Sequence, residues 1–207
     1  MYMTQETLFV SGIGTGVGKT ICSAILALHF EAEYWKPVQA GDLHYSDSIC
    51  VSTLGADKIH THPERYRLQK AASPHNAAAA EEICIKLSDF TVPASRKKLL
   101  IEGAGGLWVP LSDDHFMIDL IQLCNAPVAL VARDYLGCIN HTLLSIDTLK
   151  QRNIPLDYMI FNGNFDPDTF RVLYKHLPRS THAIRIPELE EISPKTIAAA
   201  AQQIKFF

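Results

Sequence analysis

The chain of 207 residues has no run of eighteen apolar residues, so it offers nothing long enough to span a bilayer as a helix. Its first twenty residues lack a basic segment leading into an apolar core and a small-residue cleavage site, and the chain reads as soluble and unexported. Cysteine is scarce and unpaired in pattern. Cys22, Cys50, Cys84, Cys124 and Cys138 form an odd, scattered set without a C-x-x-C pair, which argues against a disulfide framework and for reduced thiols in a cytoplasm. An excess of one charge is also missing: 19 Lys and Arg stand against 22 Asp and Glu, a net charge of -3. The basic residues form no patch, so neither nucleic acid nor a membrane surface is an expected partner. Internal repeats and low-complexity linkers are absent. With 47% hydrophobic residues, the length suits one well-buried core, and a single domain over 1–207 is expected.

Two periodicities alternate along the chain. Thr7–Gly12, Lys98–Gly103, Pro127–Ala132 and Asp157–Asn162 are short apolar runs ending in small or polar residues, the pattern of buried parallel strands. "AEYWKPV" and "THAIRIP" read as two more. Helical spacing falls over Thr20–Glu31, Asn76–Leu87, Met117–Cys124, Ile139–Gln151, Pro167–His176 and Lys195–Lys205. Strands alternating with helices of about 10 to 15 residues predict an α/β fold, a parallel sheet flanked by helices. Asp57–Ala72 fits neither pattern and reads as an exposed excursion.

Ligands of such sheets bind at the carboxyl ends of the strands. There the chain carries "SGIGTGVGKT", Ser11 to Thr20. Gly12, Gly14, Gly16 and Gly18 let the backbone curl around an anion, and the following helix adds its positive dipole end. Lys19 would meet the β- and γ-phosphates, and Thr20 would place a hydroxyl on Mg²⁺. The strict motif G-x-x-x-x-G-K-[ST] wants glycine at position 13, where this chain has Ile13, so the match is a variant of the P-loop. Three further features sit at predicted strand ends or a helix start: Lys36 before a proline, Asp47 in "HYSDS", and Glu102 followed by Gly103, Gly105 and Gly106. Singly, each has an ordinary reading as a surface lysine, a helix cap or a sheet-edge charge. His60 and His62, at i and i+2, can share a strand face and bind a metal, but no third ligand stands at a plausible spacing.

With these residues in hand, the chain resembles the dethiobiotin synthetases. The likeness runs through the P-loop, "KPVQAG", "SPHNAA", "EGAGGLWVPL", "LGCINHTLLS" and "IFNGN", and fades in the last quarter. It implies a P-loop NTPase-like fold and an ATP- and Mg²⁺-dependent ligase acting as a homodimer in the cytoplasm. The family adds CO₂ to the 7-amino group of 7,8-diaminopelargonate, phosphorylates the carbamate with ATP, and closes the ring when the 8-amino group attacks that mixed anhydride. On this resemblance Lys19 and Lys36 are catalytic, and Thr20, Asp47 and Glu102 are the metal set. Gly16, Val17, Gly18 and Ile21 join them around the nucleotide, with Gly103, Ala104 and Gly105. Asn162, Gly163, Pro187, Glu188 and Leu189 are expected at the adenine. Thr15, Lys36, Ala40, Gly137 and Asn140 are expected at the diamine, the last two reaching across a dimer interface.

The chain departs from the family at Ile13-Gly14, where a threonine and an aspartate are usual, at Ala40, where a hydroxyl is usual, and at Ile184, where a glycine precedes Pro187 and frames the adenine. The rival reading is a nucleotide-dependent switch of the partitioning or septum-placement type. Such switches carry a signature lysine five residues before the P-loop lysine, and that position here is Gly14.

Overall fold

A computed structural model describes residues 6–207; of the domain expected over 1–207, residues 1–5 lie outside the described residues. The elements are β1 (Thr7–Gly12), α1 (Lys19–His29), β2 (Glu33–Trp35), β3 (Val38–Ala40), α2 (Asp47–Leu54), β4 (Thr61–His62), β5 (Tyr66–Leu68), α3 (Pro74–Ala79), β6 (Leu99–Gly106), α4 (Met117–Leu123), β7 (Val128–Ala132), α5 (Cys138–Gln151), β8 (Leu156–Asn162), α6 (Pro167–Lys175), β9 (His182–Ile186) and α7 (Pro194–Gln202).

Seven strands form one parallel sheet in the order β4-β2-β6-β1-β7-β8-β9. Every residue of β7 is buried, as are Leu99–Ile101 of β6 and Leu8–Val10 of β1. Burial on both faces explains why these segments read as continuous apolar runs instead of alternating ones. The α1 helix packs with α2 and α7, and α5 packs with α6. From β1 the chain moves to β2 and β4 on one side, returns to insert β6 beside β1, and then continues through β7, β8 and β9 on the other side. The carboxyl ends of β1, β6 and β2 therefore meet at a topological switch point, where open α/β sheets bind ligands.

Two expectations need correction. The excursion at Asp57–Ala72 supplies β4, an edge strand of the main sheet, and β5, which pairs in parallel with β3 as a separate two-stranded sheet. Ile59, Tyr66 and Leu68 are buried within it. The alanine-rich helix expected to reach Leu87 stops at Ala79. Its end is a Schellman turn: Ile83 N–H bonds Ala78 O, Glu82 N–H bonds Ala79 O, and Glu82 takes the left-handed conformation at φ 57°. The turn releases Ile85 into the core.

Candidate active site

The P-loop leaves β1 where the β1–β6 register shifts, between Val10 and Gly12, so that Gly12 lies opposite Gly106. A Cβ on Gly12 would sit 2.7 Å from both Gly14 O and Val17 Cγ2. The loop therefore needs its first glycine at position 12, and Ile13 instead turns into the core at 8% exposure. At the other end Gly18 opens α1 with φ 86°, and a Cβ there would run into Asn162 Nδ2. That amide donates to Val17 O at 2.9 Å, which ties the carboxyl end of β8 to the back of the loop.

Four charged side chains converge in front of the loop. The Lys36 ammonium, 4% exposed, lies 2.6 Å from Asp47 Oδ2 and 3.1 Å from Glu102 Oε1, and donates to Gly103 O at 3.1 Å. The Thr20 hydroxyl stands 2.9 Å from Asp47 Oδ1 and 3.1 Å from Glu102 Oε1. Lys19 Nζ donates to Gly14 O at 3.2 Å. Burial works against charge on Lys36, but Glu102 and Asp47 outweigh it and hold its pKa above the ordinary lysine value. Burial likewise opposes charge on Asp47, and the Lys36 charge and hydrogen bonds from Lys36 and Thr20 hold its carboxyl below the usual range. For Lys19 burial wins over the pull of Glu102, and its pKa is lowered. A buried lysine that lacks full charge compensation is poised for an incoming anion.

The fold fixes each of these positions. Ser46 caps α2 by accepting from Ile49 N, so Asp47 occupies the first helical position and is not itself the cap. Gln39 Oε1 accepts from Asp47 N at 3.1 Å, and Tyr34 O–H donates to Glu102 Oε2 at 2.9 Å in a fully buried position. Neither Tyr34 nor Gln39 was singled out from sequence. Tyr34 and Lys36 are two apart on an extended segment, so a shared face was readable there.

A cleft of about 700 Å³ opens over this group. Thr15, Gly16, Gly18, Lys19, Thr20 and Ile21 line one wall; Lys36, Ala40 and Asp47 line another; Glu102, Ala104 and Gly105 line a third. Val17 and Gly103 are not among the lining residues, and their carbonyls accept from Asn162 and Lys36. A Cβ on Gly103 would strike Phe9 at 2.8 Å, so packing against the core requires glycine at this position. Asn162, Gly163 and Glu188 gather behind the loop, where Glu188 pairs with Arg133 at 2.6 Å and leaves no room for a Cβ on Gly163. Pro187 and Leu189 flank Glu188 just past β9. Ile184, which stands where the family has a glycine, lies inside β9 at 0% exposure, with its side chain in the core. Gly137 and Asn140, at the start of α5, are exposed and lie outside the cleft of their own chain.

Hard oxygen donors from Asp47 and Glu102, each within hydrogen-bonding distance of the Thr20 hydroxyl, suit a divalent cation such as Mg²⁺. A parallel sheet, a glycine-rich loop at a helix start, and a lysine and threonine facing two carboxylates define a P-loop nucleotide-binding protein. Residues 6–196 match a family described as an AAA domain. The chain is 43% identical over 195 residues to the ATP-dependent dethiobiotin synthetase BioD of Afipia carboxidovorans, covering 93% of this chain and 92% of that one. It is 42% identical over 206 residues to the protein of the same name from Cytophaga hutchinsonii, covering 97% of each. The chain belongs to the ATP-dependent dethiobiotin synthetases, ligases of biotin biosynthesis.

Two solved structures of low sequence identity show a likeness of fold alone. A plasmid partition protein of Borrelia burgdorferi bound to AMPPNP superposes with a TM-score of 0.58 at 13% identity over 97% of this chain and 98% of that one. A septum site-determining protein MinD with Mg-ADP from Pyrococcus horikoshii gives 0.54 at 16% identity over 97% and 96%. The family membership, together with Gly14 in place of a signature lysine, decides against the switch reading. Among the described residues no helix is long and apolar enough to cross a membrane.

Proposed function

We propose that this chain makes its product through a carbamate on the 7-amino group of 7,8-diaminopelargonate, working as one P-loop α/β domain. The amine adds to CO₂ and loses a proton. A carbamate oxygen then takes the γ-phosphoryl group of ATP, breaking its bond to ADP. The 8-amino group attacks the carbonyl carbon, phosphate leaves, and the ring closes. This chemistry asks for two anions to be aligned and their repulsion suppressed.

Lys36 carries the reading. Its ammonium sits at the floor of the cleft, one hydrogen bond from Gly103 O and beside Thr20 at the head of α1. From there it meets the carbamate and the transferred phosphoryl group together, and its pull grows as charge builds between them. Lys19 and the loop amides hold the β- and γ-phosphates. Thr20, Asp47 and Glu102 would hold Mg²⁺, which when bound neutralises phosphate charge and takes over the carboxylates that Lys36 clasps. Thr15 and Ala40 face the diamine, while Asn162, Gly163, Pro187, Glu188 and Leu189 frame the adenine.

The active unit is a homodimer in which Gly137 and Asn140 reach the partner's cleft and hold the far carboxylate of the diamine. Support comes from the exposed Tyr135, Leu136 and Leu144 beside them, with Leu136 fully exposed. Five free cysteines support a reducing, cytoplasmic setting.

The test is phosphate release from ATP with bicarbonate and diamine supplied singly and together. Release should need both, and equal rates with and without the diamine would overturn the carbamate route. A mixture of Lys36→Ala and Asn140→Ala chains, each weak alone, should regain activity if sites are shared across a dimer.

A further inference from the structure

A second cluster of ligating side chains lies at the opposite end of the strand that Lys36 follows. Glu33 opens β2, and roughly 10 Å of extended chain separates it from Lys36. Across the strand pair, Tyr34 N–H bonds His60 O, and Trp35 stands opposite His62. In a parallel pair this register sends Glu33, His60 and His62 to one face. His62 Nε2 is 2.8 Å from Glu33 Oε2, and the His60 and His62 rings meet edge to face with centroids 4.8 Å apart. One donor atom from each of the three residues lies within 4.8 Å of the other two. The third ligand missing from the sequence is thus brought in by the neighbouring strand.

We propose that Glu33, His60 and His62 form a metal site, separate from Thr20, Asp47 and Glu102, that takes one zinc-class ion and clips the edge strand β4 to β2. Two imidazoles and one carboxylate are borderline donors, which favour Zn²⁺, Co²⁺ or Ni²⁺ and discriminate against Mg²⁺. Tetrahedral zinc with bonds of about 2.0 to 2.2 Å needs donor atoms roughly 3.3 Å apart, so the His62–Glu33 pair at 2.8 Å opens slightly and the wider separations, none above 4.8 Å, close by side-chain rotation. His62 and Glu33 side chains are only 13% and 19% exposed, whereas His60 is exposed and leaves the fourth position to water. The clip has a clear structural use. β4 has two residues, and the chain it anchors back onto β2 runs through α2, which carries Asp47.

The experiment titrates Co²⁺ into the chelator-stripped full chain in Mg²⁺-containing buffer, reading visible absorption, and follows thermal unfolding with and without Zn²⁺. One Co²⁺ per chain with the intense bands of low coordination, displaced by Zn²⁺, and a saturable rise in Tm are expected. His60→Ala, which alters an exposed side chain and leaves the core intact, and Glu33→Gln should each weaken binding at least tenfold and remove the Tm rise. Asp47→Asn and Cys84→Ser should keep both. The proposal is overturned if the His60 and Glu33 variants bind Co²⁺ as the parent does, if Cys84→Ser abolishes binding, or if the parent shows no saturable one-to-one uptake.

Discussion

The Lys36 ammonium lies 2.6 Å from Asp47 Oδ2, although one residue follows the end of β2 and the other begins α2. With Glu102 at 3.1 Å as well, the lysine is paired with two carboxylates at the point where β2, β6 and the P-loop meet. Removing it would leave two negative charges facing the phosphate path. Lys36→Ala is expected to lower kcat by about 10²- to 10³-fold, with a much smaller change in the nucleotide Kd, since on the proposed route the Lys36 contact strengthens as charge shifts to the carbamate. Single-turnover rates and equilibrium nucleotide binding on chains with native circular dichroism separate the two effects; a normal kcat would remove Lys36 from the chemistry.

Lys19 predicts a proton linkage in nucleotide binding. Burial lowers its pKa in the free protein, and a polyphosphate beside it favours the charged form. Binding at alkaline pH should therefore take up a proton, and affinity should fall as pH rises through the lysine's range in the free and then the bound state. Calorimetry in buffers of different ionisation enthalpy reads the uptake. Lys19→Met should abolish it, and an unchanged uptake in that variant would assign it elsewhere.

The pair of Lys36 and Asp47 makes stability depend on pH in a defined direction. Asp47 is depressed, so its contribution is present above the ordinary carboxylate value of about 3.9 and is lost as pH falls through the lower folded value. Lys36 is raised, so its contribution is present below about 10.4 and is lost as pH rises through the higher folded value. Urea midpoints of the parent and Asp47→Asn should differ at neutral pH and converge in acid. A gap that persists unchanged into acid would contradict this.

Tyr34→Phe takes away the O–H that donates to the buried Glu102 Oε2. Leaving a charged oxygen short of a partner is expected to cost about 1.5 to 3 kcal/mol, read as a lower denaturant midpoint at constant m-value. A loss below a few tenths would mean that water replaces the phenol at no cost.

Ala40 lines the cleft at the end of β3 with no hydroxyl to offer. Ala40→Ser should lower KM for the diamine by up to about tenfold, matching a hydrogen bond of about 0.5 to 1.5 kcal/mol, with kcat little altered. An unchanged KM would mean that this wall does not face the diamine.

Much of the frame was legible because buried parallel strands and amphipathic helices write their periodicity directly into the chain. Thr7–Gly12 coincides with β1, and the strand expected over Asp157–Asn162 differs from β8 by one residue. The end of α3 was not legible, since the residue in the left-handed turn is Glu82 and no glycine marks it. Nor were β4 and β5, whose two and three residues are too short to show a period. The strand expected in "THAIRIP" is β9, His182–Ile186, and it holds Ile184 in the core.

The sequence by itself determined the phosphate cradle, because glycines, a lysine and a threonine spaced between a strand and a helix permit few other conformations. It also supplied Lys36, Asp47 and Glu102 as candidates. Only the tertiary structure decided that these three touch, that Tyr34 and Gln39 hold them, and that Glu33 joins His60 and His62. Such contacts depend on strand order and register, which bring residues 27 to 82 positions apart within one hydrogen bond. Local spacing carries no record of that register.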